Sequence, residues 1–143
     1  MTRPIAVVQA DVFTTRPFGG NPALAVLDAD GLDEAAMQRI AGELRAPGTA
    51  FVSAPTRPGA DWRLRMFTPR REVGYSGHTA LGGTHALIEA GRVPGGRRSD
   101  RARVDLYDLS DPARLGAVTA EAFPMPAPAG GGLGAAWSCH PGA

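Results

Sequence analysis

Gly77-His78-Thr79-Ala80-Leu81-Gly82-Gly83-Thr84-His85-Ala86-Leu87-Ile88 is the stretch whose reading decides the fold. From Thr79 to about Glu89 it predicts a helix that is small and apolar nearly all round, the composition of a helix enclosed by other elements. A sheet wrapped around it accounts for that composition. Gly82 and Gly83 each cost the helix about 1 kcal/mol relative to Ala, and close backbone packing is a reason to keep them.

Working outward, the segments upstream supply the strands of such a sheet. Ile5 to Phe13 is β-branched and aromatic-rich, and it ends in a dense run of turn formers from Thr14 to Pro22, so a strand and a loop precede a second strand from Ala23 to Leu27. Leu32, Met37, Ile40, Ala41 and Leu44 recur at helical spacing, which predicts an amphipathic helix from about Glu34 to Arg45. Asp33 is its expected N-cap, with Leu32 stapled to Met37. Pro47-Gly48 stops that helix, and Thr49-Ala50-Phe51-Val52 starts a short strand. In Asp61 to Phe67 apolar and polar residues alternate, placing Trp62, Leu64 and Met66 on one face and Arg63 and Arg65 on the other, the mark of a half-buried strand.

Downstream the character changes at about Gly95. Asp and Arg dominate to Arg114, and Pro124-Met125-Pro126-Ala127-Pro128-Ala129 leads into Gly130-Gly131-Gly132. Residues 1–95 therefore read as one α+β lobe, a mixed or antiparallel sheet around a central helix. Residues 96–143 read as a low-complexity or divergent tail, partly disordered, in which Val104 to Leu109 and Ala117 to Phe123 can still add edge strands. No internal repeat is found.

Composition bounds the function. The 143 residues suit one domain, and an apolar fraction of 43% with a charged fraction of 20% excludes wholesale disorder. All 15 cationic side chains are Arg, nearly balanced by 14 acids to leave a net charge of +1, so neither a nucleic-acid nor a membrane partner is implied. The densest basic group, Arg92, Arg97, Arg98, Arg101 and Arg103, lacks interleaved aromatics and reads as a solvated loop. One cysteine, Cys139, excludes an internal disulfide and a Cys-rich zinc site and fits a reducing compartment. The apolar run at Ile5-Ala6-Val7-Val8 is too short for a signal peptide or a spanning helix, so a cytoplasmic location is expected.

The residues Asp11-Val12-Phe13-Thr14, Pro17-Phe18-Gly19-Gly20-Asn21-Pro22, Glu43-Leu44, Thr49-Ala50-Phe51-Val52, Arg63-Leu64-Arg65-Met66-Phe67-Thr68-Pro69 and Gly77-His78 follow one another before the apolar helix. Together, over about Ile5 to Gly91, they resemble the PhzF-like family, named for a phenazine-biosynthesis isomerase. The resemblance implies a diaminopimelate-epimerase-like fold, in which two similar lobes each wrap a sheet around a central helix and share an active site between them. It implies a cofactor-independent isomerase or epimerase that moves a proton within a small carboxylate-bearing substrate of a biosynthetic pathway. Thr79 to Glu89 is then this lobe's central helix.

The sequence departs from that pattern in three places. Where the family reads Ser-Glu-Thr before the short strand, this chain has Pro47-Gly48-Thr49, so Gly48 stands at the position of the catalytic Glu. A positioned acid–base group supplies about 10² to 10⁴ in rate, and glycine has nothing to titrate. The second lobe and its polar residues are expected to be missing, and the tail's Pro, Ala and Gly bias suits a truncated gene or a shifted reading frame.

The residue expected to keep a role is His78, which the resemblance places beside the catalytic carboxylate and which titrates near neutrality; the plainer reading is a capping or carbonyl-satisfied histidine. Ser76, Gly77, His78 and Thr79 put backbone N–H groups at a helix N-terminus, where a substrate carboxylate is favoured. Many such termini bind nothing. Asn21 offers a donor and an acceptor to one wall of the cleft, or simply belongs to a turn. Glu72 is a conceivable replacement base if geometry allows. His85 reads as a packed core histidine, Asp11 and Glu43 as strand-end and helix-end residues, and with His140 no metal constellation emerges. The rival to an isomerase is a noncatalytic domain binding a small anion or a protein, or a degenerate gene product. The expected partners are a small carboxylate substrate and either a second copy of the chain or a separate second-lobe chain. Gly48→Glu is the substitution that discriminates.

Overall fold

The structure, a computed structural model, describes residues 3–14, 18–56, 58–92, 101–107, 115–124 and 135–141. Its elements in chain order are β1 (Val7–Val12), β2 (Asn21–Val26), α1 (Glu34–Leu44), β3 (Thr49–Ser53), β4 (Trp62–Phe67), β5 (Glu72–Val73), α2 (Gly77–Glu89), β6 (Arg101–Tyr107), β7 (Leu115–Pro124) and β8 (Ala135–Pro141). Among the described residues the sheet holds eight strands in the order β1-β2-β3-β4-β6-β7-β8, with β5 beside β4. It is mixed: β2 runs parallel to β3 and β4 to β6, and the other pairs are antiparallel. Parallel neighbours need a crossover, and α1 supplies the one between β2 and β3.

α2 meets β1, β2, β3 and β4 on one side and β7 and β8 on the other, and the two edge strands β1 and β8 approach each other. The sheet is therefore wrapped around α2, the α+β architecture expected from the helix's composition. Alternation along β3 sorts the core into two faces. Ala50 and Val52 join Ala25, Leu27, Leu64, Met66, Ala80, Ala86 and Leu87 on the α2 face. Phe51 joins Val26, Ala29, Met37, Ala41 and Phe67 on the α1 face, where the two phenyl rings stack edge to face at 5.2 Å.

The glycines of α2 have the expected reason. A Cβ at Gly82 would fall 2.7 Å from Ala23 Cβ, and one at Gly83 would fall 2.9 Å from Ala50 Cβ, so a methyl at either place forces helix and sheet apart. α1 begins as read: Asp33 accepts a hydrogen bond from the Ala36 N–H at 2.7 Å, and Leu32 packs against the cluster that includes Met37.

The structure adjusts three readings. β2 begins at Asn21 rather than Ala23, because Asn21 and Pro22 lie where β2 pairs with β1 but extends past β3, an edge position that tolerates proline. Glu72–Val73, read as part of a turn, forms a short strand on β4. Downstream, β7 covers the second expected strand segment and β6 the first as far as Tyr107, residues 108 and 109 lying outside the described residues; β6 continues the sheet from β4, and β8 is an additional strand that occupies the edge. The expected boundary at residue 95 and the run 125–134 lie outside the described residues, as do Arg97 and Arg98.

Candidate functional site

Two chain segments distant in sequence meet at the N-terminal end of α2. Gly48 immediately precedes β3, and its carbonyl accepts the Leu24 N–H at 2.9 Å, which ties it to β2. The α2 face of β3 carries Ala50 and Val52, and by the same alternation Gly48 looks toward α2. A Cβ built there lies 3.2 Å from His78 Nε2 and 1.9 Å from Thr79 Oγ1. The position that the resemblance gives to the catalytic acid thus lies against His78.

Around His78 the polar groups are hydroxyls. Ser76 Oγ lies 2.8 Å from Thr79 Oγ1 and 3.2 Å from His78 Nδ1, while Thr79 Oγ1 lies 3.4 Å from Nε2. The lone-pair and N–H directions of the two ring nitrogens diverge in the imidazole plane, so oxygens 2.8 Å apart cannot both lie along them. The Ser76–Thr79 bond is the strong one, and the imidazole rests against that hydroxyl pair. Burial pushes the His78 pKa below its ordinary value, because the charged form is the one that loses solvation. Ser76 stands at the N-cap of α2 in extended backbone, yet its side chain makes no capping bond. Its hydroxyl is turned to Thr79 and His78 instead.

The first intrahelical bond of α2 is from the Ala80 N–H to Ser76 O at 2.9 Å, so the N–H groups of Gly77, His78 and Thr79 precede the ladder. Asn21 heads β2 and shares the α2 face with Ala23 and Ala25 by alternation, which puts it on the same side of the sheet as His78. Gly48, Ser76, His78 and Thr79 form the close cluster.

Other residues weighed from sequence lie elsewhere. Glu72 pairs in register with Phe67, whose ring belongs to the α1 face, so its carboxylate stands across the sheet from His78. There it receives two hydrogen bonds from Arg65, Nε to Oε1 at 2.6 Å and Nη2 to Oε2 at 2.5 Å, and Arg65 also reaches Glu34 at 3.1 Å. Glu72 is therefore a structural partner of Arg65 and not a replacement base. His85 is half-buried rather than in the core, with Nε2 3.7 Å from Glu89 Oε1. Among the described residues no group of His, Cys, Asp and Glu is placed to hold a metal ion, and no helix is long and apolar enough to cross a membrane.

Sequence reasoning assigned Thr79 and Ser76 roles through their backbone N–H groups and missed their side chains. The available signal was a Ser-x-x-Thr spacing at a helix start, which places two hydroxyls one turn apart. It does not say that one of them fills the space beside Gly48.

A mixed sheet curled around an apolar helix, with a Gly-His helix start against the head of a neighbouring strand, defines one lobe of an epimerase-type isomerase fold. The profile of the phenazine biosynthesis-like protein family (PhzC-PhzF) matches residues 10–110, and the chain belongs to that family. An uncharacterised isomerase of Pseudomonas aeruginosa is 45% identical over 106 residues, covering 70% of this chain and 39% of that protein. Trans-2,3-dihydro-3-hydroxyanthranilate isomerase of Pseudomonas fluorescens is 44% identical over 77 residues, 54% of this chain and 27% of that one. The crystal structure of a PhzF-family phenazine biosynthesis protein from Bacillus anthracis superposes with a TM-score of 0.65 at 32% identity over 81% of this chain and 39% of that one. A predicted epimerase of Pseudomonas aeruginosa gives 0.64 at 31% identity over 89% and 40%. The chain thus spans between 27% and 40% of the length of these four proteins.

Proposed function

We propose that this chain is one lobe of a PhzF-like isomerase site for a small carboxylate-bearing metabolite of a biosynthetic pathway, working without a cofactor, and that by itself it does not carry out the proton transfer. The observation that carries this reading is the direction of the missing side chain at Gly48, which leads to His78. A proton-transfer group must stand within hydrogen-bond reach of the reacting atom, and the position suited to one carries no titratable atom. His78, whose pKa burial lowers, is left to orient or polarise a substrate. The N–H groups of Gly77, His78 and Thr79 supply donors for its carboxylate, and Asn21 a further contact on the same face. The other half of the cleft is a second lobe, continuous with this one or brought by another copy or chain.

Incorporation of solvent deuterium into trans-2,3-dihydro-3-hydroxyanthranilate, the compound in the Pseudomonas fluorescens relative's name, tests the reading. The expected result with the chain alone is the uncatalysed rate; turnover would show that position 48 is not where the acid belongs. The second reading, a noncatalytic binder of small anions, draws support from the Thr79 hydroxyl in the space beside Gly48. On that reading anthranilate shifts the amide resonances of Gly77, His78 and Thr79 saturably, with no exchange chemistry.

A further inference from the structure

Gly48 is buried, and the space where a side chain would stand there is occupied. A Cβ on Gly48 falls 1.9 Å from Thr79 Oγ1 and 3.1 Å from Thr79 Cβ, where ordinary carbon contacts are roughly 3.5–4.0 Å. Thr79 is fully buried, its β-branched side chain is stiff at χ1, and its hydroxyl is bonded to Ser76 Oγ at 2.8 Å. Swinging that hydroxyl away gives up the bond and drives a methyl or hydroxyl into neighbouring packed atoms. Gly48→Glu alone is therefore not the clean test that the sequence suggests, because its first side-chain carbon already collides.

We propose that Gly48 and Thr79 form one coupled unit, in which the Thr79 hydroxyl occupies the side-chain space of position 48, so that Thr79 decides whether that position can carry an acid beside His78. The importance of an acid there rests on the functional reading above; the packing coupling does not. Any residue larger than glycine at 48 displaces Thr79 from Ser76 and loosens the start of α2. Removing the Thr79 hydroxyl and methyl vacates the space, and an acid at 48 then projects toward Nε2.

The test is a thermal-unfolding cycle on Gly48→Ala, Thr79→Ala and the double variant, with Gly48→Ala/Thr79→Val as the volume control. Gly48→Ala is expected to lower the midpoint by several degrees, the Ala double variant to unfold at or above that single variant, and the Val control to show no such recovery. Additive losses, or a Gly48→Ala protein as stable as wild type, would overturn the coupling. Should Gly48→Ala fail to fold, a folded Ala double variant supports the proposal and an unfolded one sinks it. The His78 imidazole titration, followed by NMR, is then compared between Thr79→Ala and Gly48→Glu/Thr79→Ala. A rise with the acid present is the expected outcome. A folded acid variant with an unmoved titration leaves the packing coupling standing and removes the reading of position 48 as the acid's place.

Discussion

Thr49 and His78 both lie beside Gly48, one next in the chain and one across the site, and their environments predict opposite responses to change. The Thr49 side chain is fully buried and its hydroxyl has no hydrogen-bond partner among the described residues; alternation turns it to the α1 face, away from His78. An unsatisfied buried hydroxyl costs about 1–3 kcal/mol, and Val has the same shape with a better strand preference. Thr49→Val is expected to raise stability by about 1 kcal/mol in a denaturant titration; a loss would reveal a partner for the hydroxyl. His78 carries a pKa lowered from 6.5 by burial, so below 6.5 the unfolded chain binds the proton more readily than the folded one. Stability is therefore complete above pH 6.5 and declines as pH falls through the folded value. His78→Asn is expected to flatten that part of the profile, measured as midpoint against pH, and an unchanged slope would assign the acid sensitivity to other groups. Gly48 and His78 were legible in the sequence because each belongs to a motif. The Thr79 side chain was not, because its contact joins a strand head to a helix start, and no local pattern encodes that distance.

At the scale of elements, the same residue type has different worth in the two helices. A Cβ at Gly42 in α1 meets nothing nearer than Pro69 O at 3.4 Å, whereas one at Gly82 in α2 meets Ala23 Cβ at 2.7 Å. Ala is favoured over Gly in a helix by about 1 kcal/mol, while forcing a methyl into a packed interface costs about 1–3 kcal/mol. Gly42→Ala should stabilise by about 0.5 kcal/mol, and Gly82→Ala should destabilise by about 1–2 kcal/mol, read from denaturant midpoints. If both changes stabilised, the close helix–sheet approach would be wrong. The Arg65–Glu72 pair gives a second element-level prediction. Glu72→Gln removes a charged partner from a guanidinium that is only 14% exposed, with an expected loss of about 2 kcal/mol. It should leave the His78 titration unmoved, since the sheet separates the two; a shifted titration would restore Glu72 to the site. The strands β1 to β4 and both helices were legible from alternation, periodicity and the Asp33 cap. β5 was not, because two residues show no period; Val73 packs on the α2 face while Glu72 is fixed on the other by Arg65.

Over the whole molecule, the enclosing sheet followed from one helix that is apolar all round, but its full extent did not. The parallel pairing of β4 with β6 joins Trp62 to Val104, a long-range register invisible to local composition, and the Pro-, Ala- and Gly-rich run before the last strand masked β8. The wrapped sheet covers the flanks of α2, and Gly48 meets His78 at the N-terminal end of that helix. The β1–β2 connection leaves the sheet at that same end, since β2 and β3 start together there and α2 runs alongside them from Gly48 toward Ala50. Phe13 and Phe18 in that connection and Tyr75 before α2 are 63%, 96% and 56% exposed. The two phenylalanines also hold left-handed backbone at φ 64° and 61°, a conformation uncommon for bulky residues. Exposed aromatic surface at this end of the sheet is removed from water most simply by a facing lobe. Light scattering across a concentration series is therefore expected to find a dimer, and Phe18→Ser to raise its dissociation constant at least tenfold, the equivalent of about 1.4 kcal/mol. A dimer insensitive to Phe18 would place the contact elsewhere. A monomer throughout would rule out a cleft built from two copies, and a second lobe, continuous with this one or on another chain, would then have to face His78 before any carboxylate could be enclosed there.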